Sequence, residues 1–229
     1  MQPAQVLTLT GIHFSYGTQP VLRNINMSLQ QGRVYGIVGD NGAGKTTLFN
    51  LVAGALQPRS GSITALYGRQ QIAYLETDPY FYPYMTGAEY LRIIQPAQPG
   101  ATEQWNRIFE LPLQEYASHY STGMKKKLAL LGVLLLDKPV IILDEPFNGL
   151  DLKSCEIIHY IIQRLRQAGK TVILSSHILE TMLNNADVIS FLDAGTILDT
   201  YGKDRFAELE TLVRTRFTHR ISEVIDGLL

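Results

Sequence analysis

The amino-acid sequence predicts an α/β fold: a mainly parallel sheet, an antiparallel β edge subdomain and a short inserted helical subdomain. Three observations carry this expectation. Short runs that leave no polar face, Val34 to Val38, Val140 to Leu143 and Thr171 to Leu174, alternate with helical segments, the pattern of parallel strands covered on both faces. A glycine-rich loop, Gly39 to Thr46, joins the first of these runs to a helix. From Pro79 to about Ser121 the texture changes to prolines, aromatics and short helical stretches with no strand alternation.

In chain order, Leu7 to Phe14 alternates apolar and polar residues, as does part of Val21 to Leu29, and Gly17 to Pro20 between them has turn chemistry. These two segments read as antiparallel strands at one edge. The helix after the glycine loop runs to about Ala53, where Gly54 stops it. Ser62 to Leu66 and Ile72 to Leu75 are further strands around the turn Tyr67 to Gln70, and Thr86 to Ile94 and Thr102 to Phe109 are the short helices of the insertion. Thr122 to Leu136 is one apolar helix, ended by Asp137-Lys138-Pro139 because proline cannot continue it. Lys153 to Gln167 and Ile178 to Asn185 are the helices between the later strands. Val188 to Leu192 and Thr196 to Thr200 flank Asp193-Ala194-Gly195, a hairpin signal. The tail from Asp204 reads as helix. The expected division is a core over 1–78 and 137–203, a helical subdomain over 79–136 and a helical tail over 204–229, all in one domain.

At 229 residues the chain is long enough to bury about 70% of its unfolded surface, so no staples are needed. Twenty basic and 21 acidic residues leave a net charge of -1, which gives no long-range attraction to nucleic acid or anionic lipid. The single cysteine, Cys155, rules out an intramolecular disulfide framework and suits a reducing compartment. The longest apolar run is the nine residues from Leu128 to Leu136, too short to span a bilayer, and the opening MQPAQVLTL has the features of no secretion signal. The expectation is a chain that neither crosses a membrane nor is secreted.

Gly39-Asp40-Asn41-Gly42-Ala43-Gly44-Lys45-Thr46 fits G-x-x-x-x-G-K-[ST] between a predicted strand and a predicted helix, the context this motif requires. Such glycines let successive N–H groups and the positive helix end face a phosphate. Lys45 neutralises β and γ oxygens, and Thr46 offers a hydroxyl to Mg²⁺. The fold class is therefore a P-loop NTPase core. Val140 to Leu143 then runs into Asp144 and Glu145, at the carboxyl end of a strand, where ligands of parallel sheets bind. One acid can hold a metal while the second polarises the attacking water.

With these motifs in this order, the chain resembles the nucleotide-binding subunits of ATP-binding cassette (ABC) transporters over nearly its whole length. The resemblance implies ATP and Mg²⁺ as ligands, Asp144 as the metal-holding acid beside Thr46, and Glu145 as general base. It implies that Gly39, Asn41, Gly42, Ala43, Gly44, Lys45, Thr46 and Thr47 form the nucleotide loop, and that Tyr16, in Phe14-Ser15-Tyr16-Gly17, stacks adenine. Ser121-Thr122-Gly123-Met124 stands where the family has Ser-Gly-Gly-Gln, so Ser121 and Gly123 would meet the γ-phosphate held by a second subunit. Lys125-Lys126-Lys127 follows; these lysines oppose the helix dipole, a reason to expect an anion or an acid facing them, although a capped helix with a solvated basic turn is the plainer reading. His177, after Ser175-Ser176, matches the family's switch histidine, and Asn148 to Asp151 its D-loop. His13, His119, His159 and His219 read as surface or packing residues.

Thr77 stands where the family has a glutamine that contacts Mg²⁺ and follows the membrane partner; a threonine hydroxyl can still reach the metal. Tyr80, Phe81, Tyr82 and Tyr84 crowd around Pro83, too many aromatics to point inward together, in the region where the family receives a permease helix. The resemblance thus implies a cytoplasmic ATPase subunit, peripheral on the inner membrane face through a separate permease and paired with a second cassette, and with no nucleic-acid partner. The signature, the Tyr84 to Gly87 stretch and the lack of an added regulatory domain point to export. A soluble ATPase of the same type acting on a ribosome or nucleic acid is the alternative, but no second cassette, coiled-coil insertion or basic surface supports it. The sequence lacks the guanine-reading Asn-Lys-x-Asp that a GTPase needs.

Overall fold

The computed structural model describes residues 4–94 and 99–226, with side chains up to residue 216. Strands β1 (Gln5–Tyr16), β2 (Gln19–Gln30) and β3 (Val34–Val38) precede helix α1 (Lys45–Ala53). β4 (Ser60–Ala65), β5 (Ile72–Leu75), α2 (Gly87–Ile94), α3 (Ala101–Phe109) and α4 (Thr122–Leu135) follow. Then come β6 (Val140–Leu143), α5 (Leu152–Gln167), β7 (Thr171–Ser176), α6 (Leu179–Asn185), β8 (Val188–Asp193), β9 (Thr196–Gly202) and α7 (Phe206–Asp226).

The main sheet has the order β5-β6-β7-β3-β8-β9; all pairings are parallel except the β8–β9 hairpin, whose turn places Ala194 and Gly195 at positive φ. All positions of β3, β6 and β7 are buried, which is why their sequences show no polar face. Alternate residues serve two different cores. Val34, Val38, Ile141, Leu143, Val172 and Leu174 face a core shared with α4, α5 and α6. Tyr35, Ile37, Val140, Ile142 and Ile173 face one shared with α1, β1 and β2. The strand period of two thus distributes one apolar run between two layers.

The antiparallel strands expected at the edge form a sheet of their own, in the order β2-β1-β4, and its apolar side packs with α1 on one face of the main sheet. β7 runs two residues past its expected end because Ser175 and Ser176 keep register with Ile37 and Val38 and are themselves buried. Helix ends follow local chemistry. Gly44 (φ 108) and Gly54 (φ 88) bracket α1, and Thr86 and Glu89 form a reciprocal capping box at the start of α2. Ser121 caps α4 by accepting from the Met124 N–H at 3.2 Å. Asp151 caps α5 by accepting from Ser154, and that bond holds its carboxyl below the usual carboxylate range.

Gly39 makes the turn out of β3 under the tightest constraint in the loop: a Cβ there would lie 2.1 Å from the Leu192 carbonyl oxygen of β8. At Gly42 a Cβ would meet nothing within 4 Å, and only its positive φ of 82° resists substitution. Gly39→Ala is therefore expected to cost about 1–3 kcal/mol through backbone displacement, a fall of roughly 2–12 °C in Tm for a chain of this size. Gly42→Ala should cost about 1 kcal/mol. Thermal unfolding followed by circular dichroism checks the ranking, which reverses if the loop does not lean on β8.

Candidate nucleotide site

The parallel register brings the carboxyl ends of β5, β6, β7 and β3 to one edge: Leu75 is paired with Leu143, Leu143 with Leu174, and Val38 with Ser176. The residues that follow these ends are Thr77, Asp144 with Glu145, His177, and the loop beginning at Gly39. Lys45, Thr46, Thr77, Asp144 and Glu145, with Asn41, Gly42, Gly44 and Thr47, line a cleft of about 230 Å³ at this edge. The α1 N-terminus contributes main-chain N–H groups and the positive end of its dipole to that cleft.

Asp144 is fully buried and accepts hydrogen bonds on both oxygens: Oδ2 from the Thr46 hydroxyl at 2.7 Å, Oδ1 from the Ser175 hydroxyl. The Tyr74 hydroxyl stands 3.5 Å from Oδ2, and burial together with the Asp144 charge raises the phenol far above its ordinary value. Ser175 also accepts from the Glu145 N–H at 2.9 Å, so one serine fixes both acids.

Glu145 has a left-handed backbone, φ 49°, which costs a residue with a Cβ roughly 1–2 kcal/mol. Its side chain is largely buried; Oε2 lies 2.9 Å from His177 Nδ1, and Oε1 lies 3.9 Å from Lys45 Nζ. A carboxylate only accepts, so His177 donates through Nδ1, and in the neutral ring Nε2 carries the lone pair. Lys45, itself buried, donates to the carbonyls of Gly39 at 2.7 Å and Asp40 at 3.1 Å. Its ammonium therefore stands inside the loop. The Thr77 hydroxyl is buried with no hydrogen-bond partner while lining the cleft beside Asp144.

The structure thus assembles Lys45, Thr46, Thr77, Asp144, Glu145 and His177 as the sequence predicts. Tyr16 is 52% exposed at the end of β1, edge-on to Phe14, and does not line the cleft. Ser121 and Gly123 are also outside the cleft; a Cβ at Gly123 would lie 3.4 Å from the Gly149 carbonyl oxygen and from Leu150 of the 148–151 loop. His159 packs on Phe147 and meets Asn185, and the His219 side chain lies outside the described residues.

Two groups in the site are ones that sequence reasoning missed. Ser175 was visible only as a residue before a strand-end histidine. Lys126 belongs to the basic turn whose plainer reading was solvation. It is 3% exposed, and its ammonium donates to the Glu145 carbonyl at 2.8 Å. Burial pulls its pKa down while Asp78, Glu145 and Asp144 oppose that pull. The signal available was the clash of three lysines with the helix dipole, which called for an acid nearby.

Away from the cleft, Tyr80, Tyr82 and Tyr84 are exposed while Phe81 turns inward against Tyr90. Tyr82, Tyr84, Arg92 and the exposed Ile93 line a groove of about 480 Å³. Among the described residues no helix is long and apolar enough to cross a membrane.

Comparison with known proteins gives this geometry its context. The family profile described as ABC transporter matches residues 22–148. An uncharacterised ABC transporter ATP-binding protein of Nostoc sp. is 33% identical over 195 residues, which cover 77% of this chain and 58% of that protein. The chain thus spans little more than half the length of that relative. A lantibiotic transport ATP-binding protein of Streptococcus pyogenes is 30% identical over 224 residues, covering 90% of this chain and 95% of the relative. The solved structure of an ATP-binding subunit of an ABC transporter superposes with a TM-score of 0.82 at 28% identity, covering 90% of this chain and 94% of that one. A cleft built on the phosphate loop, a match over more than half the chain and a full-length relative lead to one conclusion: the chain belongs to the ABC transporter family and carries its ATPase cassette.

Proposed function

We propose that the chain binds and hydrolyses MgATP to power a separate membrane permease in export, two cassettes sandwiching two nucleotides. The observation that carries this reading is the buried Asp144–Glu145 pair facing Lys45 across the ends of parallel strands. In it, Lys45 and the α1 N-terminus draw the β- and γ-phosphates into the loop, and the aromatic face of Tyr16 receives the base.

The donor set fits Mg²⁺. Thr46 and Asp144 already touch, and the orphaned Thr77 hydroxyl adds a third oxygen at the same cleft. One carboxylate and two hydroxyls would leave the remaining positions to phosphate oxygens and water, the usual way such an ion is held. Bound there, Mg²⁺ supplies charge neutralisation on the transferring phosphoryl group.

Glu145 orients the attacking water and accepts its proton, and His177 holds Oε2 in place through Nδ1. Because Nδ1 is committed to Glu145, His177 can give a hydrogen bond to a γ-phosphate oxygen from Nε2 only as imidazolium. Ser121 and Gly123 lie outside their own cleft, as groups serving a partner cassette's nucleotide must. In this reading the permease docks on the exposed tyrosines and Ile93, with the chain on the cytoplasmic face of the membrane; the exposure of these apolar groups around one groove supports it. Export is supported by the Ser121-Thr122-Gly123-Met124 signature and by the relative named for lantibiotic transport.

Glu145→Gln is expected to elute from gel filtration as a dimer with MgATP and as a monomer with ADP; a monomer in both conditions rules out the sandwich. Replacing Tyr82 and Tyr84 together by glutamate is expected to release the subunit from membranes while leaving its ATPase rate within about twofold. Retention on membranes, measured by flotation and immunoblotting, would assign the dock elsewhere.

A further inference from the structure

The three lysines that open α4 do not share one environment. Lys125 and Lys127 are partly exposed, whereas Lys126 is buried. An ammonium is placed in such a position at a cost that only close acceptors offset. Its acceptor is a main-chain atom, the carbonyl of Glu145, at 2.8 Å.

That carbonyl follows the left-handed residue of the cleft, and both peptide groups around Glu145 are tied. The N–H before it donates to Ser175 at 2.9 Å. The carbonyl after it accepts from the Asn148 N–H at 3.2 Å and from Lys126. Ser175 belongs to the neighbouring strand and Asn148 to the same turn. Lys126 alone of these partners comes from α4, the helix whose first turn carries Ser121 and Gly123. A residue held at positive φ keeps that conformation only when its surroundings over-determine it.

From these contacts we infer that Lys126 is a positioning residue: it fixes the Glu145 backbone and ties the placement of that carboxylate to α4. The inference rests on the ATPase reading above. In that reading the α4 N-terminus meets the nucleotide of the partner cassette, so engagement of one site is carried through four residues of helix and one side chain to the general base of the other. Lys126 touches no substrate; it acts through Glu145.

A double-mutant cycle tests this, because residues that act as a unit are not additive. Single-turnover hydrolysis of γ-labelled ATP is measured for the wild type, Lys126→Met, Glu145→Gln and the double variant, with MgATP affinity and thermal melting recorded for each. Lys126→Met is expected to lower the hydrolysis rate at least about tenfold with MgATP affinity changed less than about threefold, and to add less than about threefold when Glu145 is already Gln. Lys126→Gln, which keeps an amide donor without the charge, is expected to recover at least about threefold of the lost rate. Equal losses in both backgrounds, a Gln variant no better than Met, or failure of both variants to melt cooperatively would make Lys126 a residue of general stability and overturn the inference. A wild type that turns over no ATP would reject the ATPase reading and this inference with it. An active wild type matched by Lys126→Met rejects the inference alone.

Discussion

The Asp144 carboxylate is the constraint on which the rest of the site depends. It is fully buried, and a carboxyl group so placed is stable only if its oxygens are hydrogen-bonded. Its donors come from α1, through Thr46, and from β7, through Ser175, with Tyr74 of β5 close by. A single side chain just past the end of β6 therefore ties the phosphate loop to the two strands that flank β6. The parallel register, with Leu75, Leu143 and Leu174 in line, is what makes those donors available together. In a sheet slipped by one residue, Ser175 would face the other core and Asp144 would lose its second partner.

From this carboxylate the site extends outward by shared groups. Ser175 donates a hydrogen bond to Asp144 and accepts one from the Glu145 N–H, so the placement of the first acid sets that of the second. Glu145 then reaches His177 and Lys45 with its side chain and Lys126 with its carbonyl. The two cores explain how this rigidity is reached. One packs the sheet on α4, α5 and α6, the other on α1 and the antiparallel strands, so the cleft edge is held from both faces. Gly39 lets the loop pass against the β8 backbone, where no side chain fits.

Much of this was legible in the sequence because it is local. The phosphate loop carries its own spacing, fully apolar runs announce buried strands, and Gly54, Pro139 and Gly169 mark where helices stop. Asp144 and Glu145 could be named because they follow a recognisable strand beside a phosphate loop, whereas Thr77 and His177 were named through the family resemblance. What could not be read depends on tertiary placement. Ser175 gives no sign that its hydroxyl bridges two acids from the next strand. Lys126 looks like its neighbours Lys125 and Lys127, and only the approach of α4 to the β6 turn buries it. The antiparallel β subdomain was legible, but its packing with α1 on one face of the main sheet was not, because the alternation of β1 and β2 fixes which face is apolar but not what covers it. Tyr16, Ser121 and Gly123 were placed by resemblance, and the isolated chain keeps them outside the cleft, since their proposed roles need a base or a second cassette.

The most direct measurement of the account is calorimetric titration of ATP into wild type and Asp144→Asn, each with Mg²⁺ and with chelator. The amide keeps the shape of the side chain but loses the charge and one acceptor. The account predicts that Mg²⁺ strengthens ATP binding to the wild type at least about tenfold, and that in Asp144→Asn the two conditions agree within about twofold, with chelated ATP still bound through the Lys45 loop. Full retention of the Mg²⁺ effect in Asp144→Asn would contradict it, because the metal would then be held without the carboxylate around which the site is built.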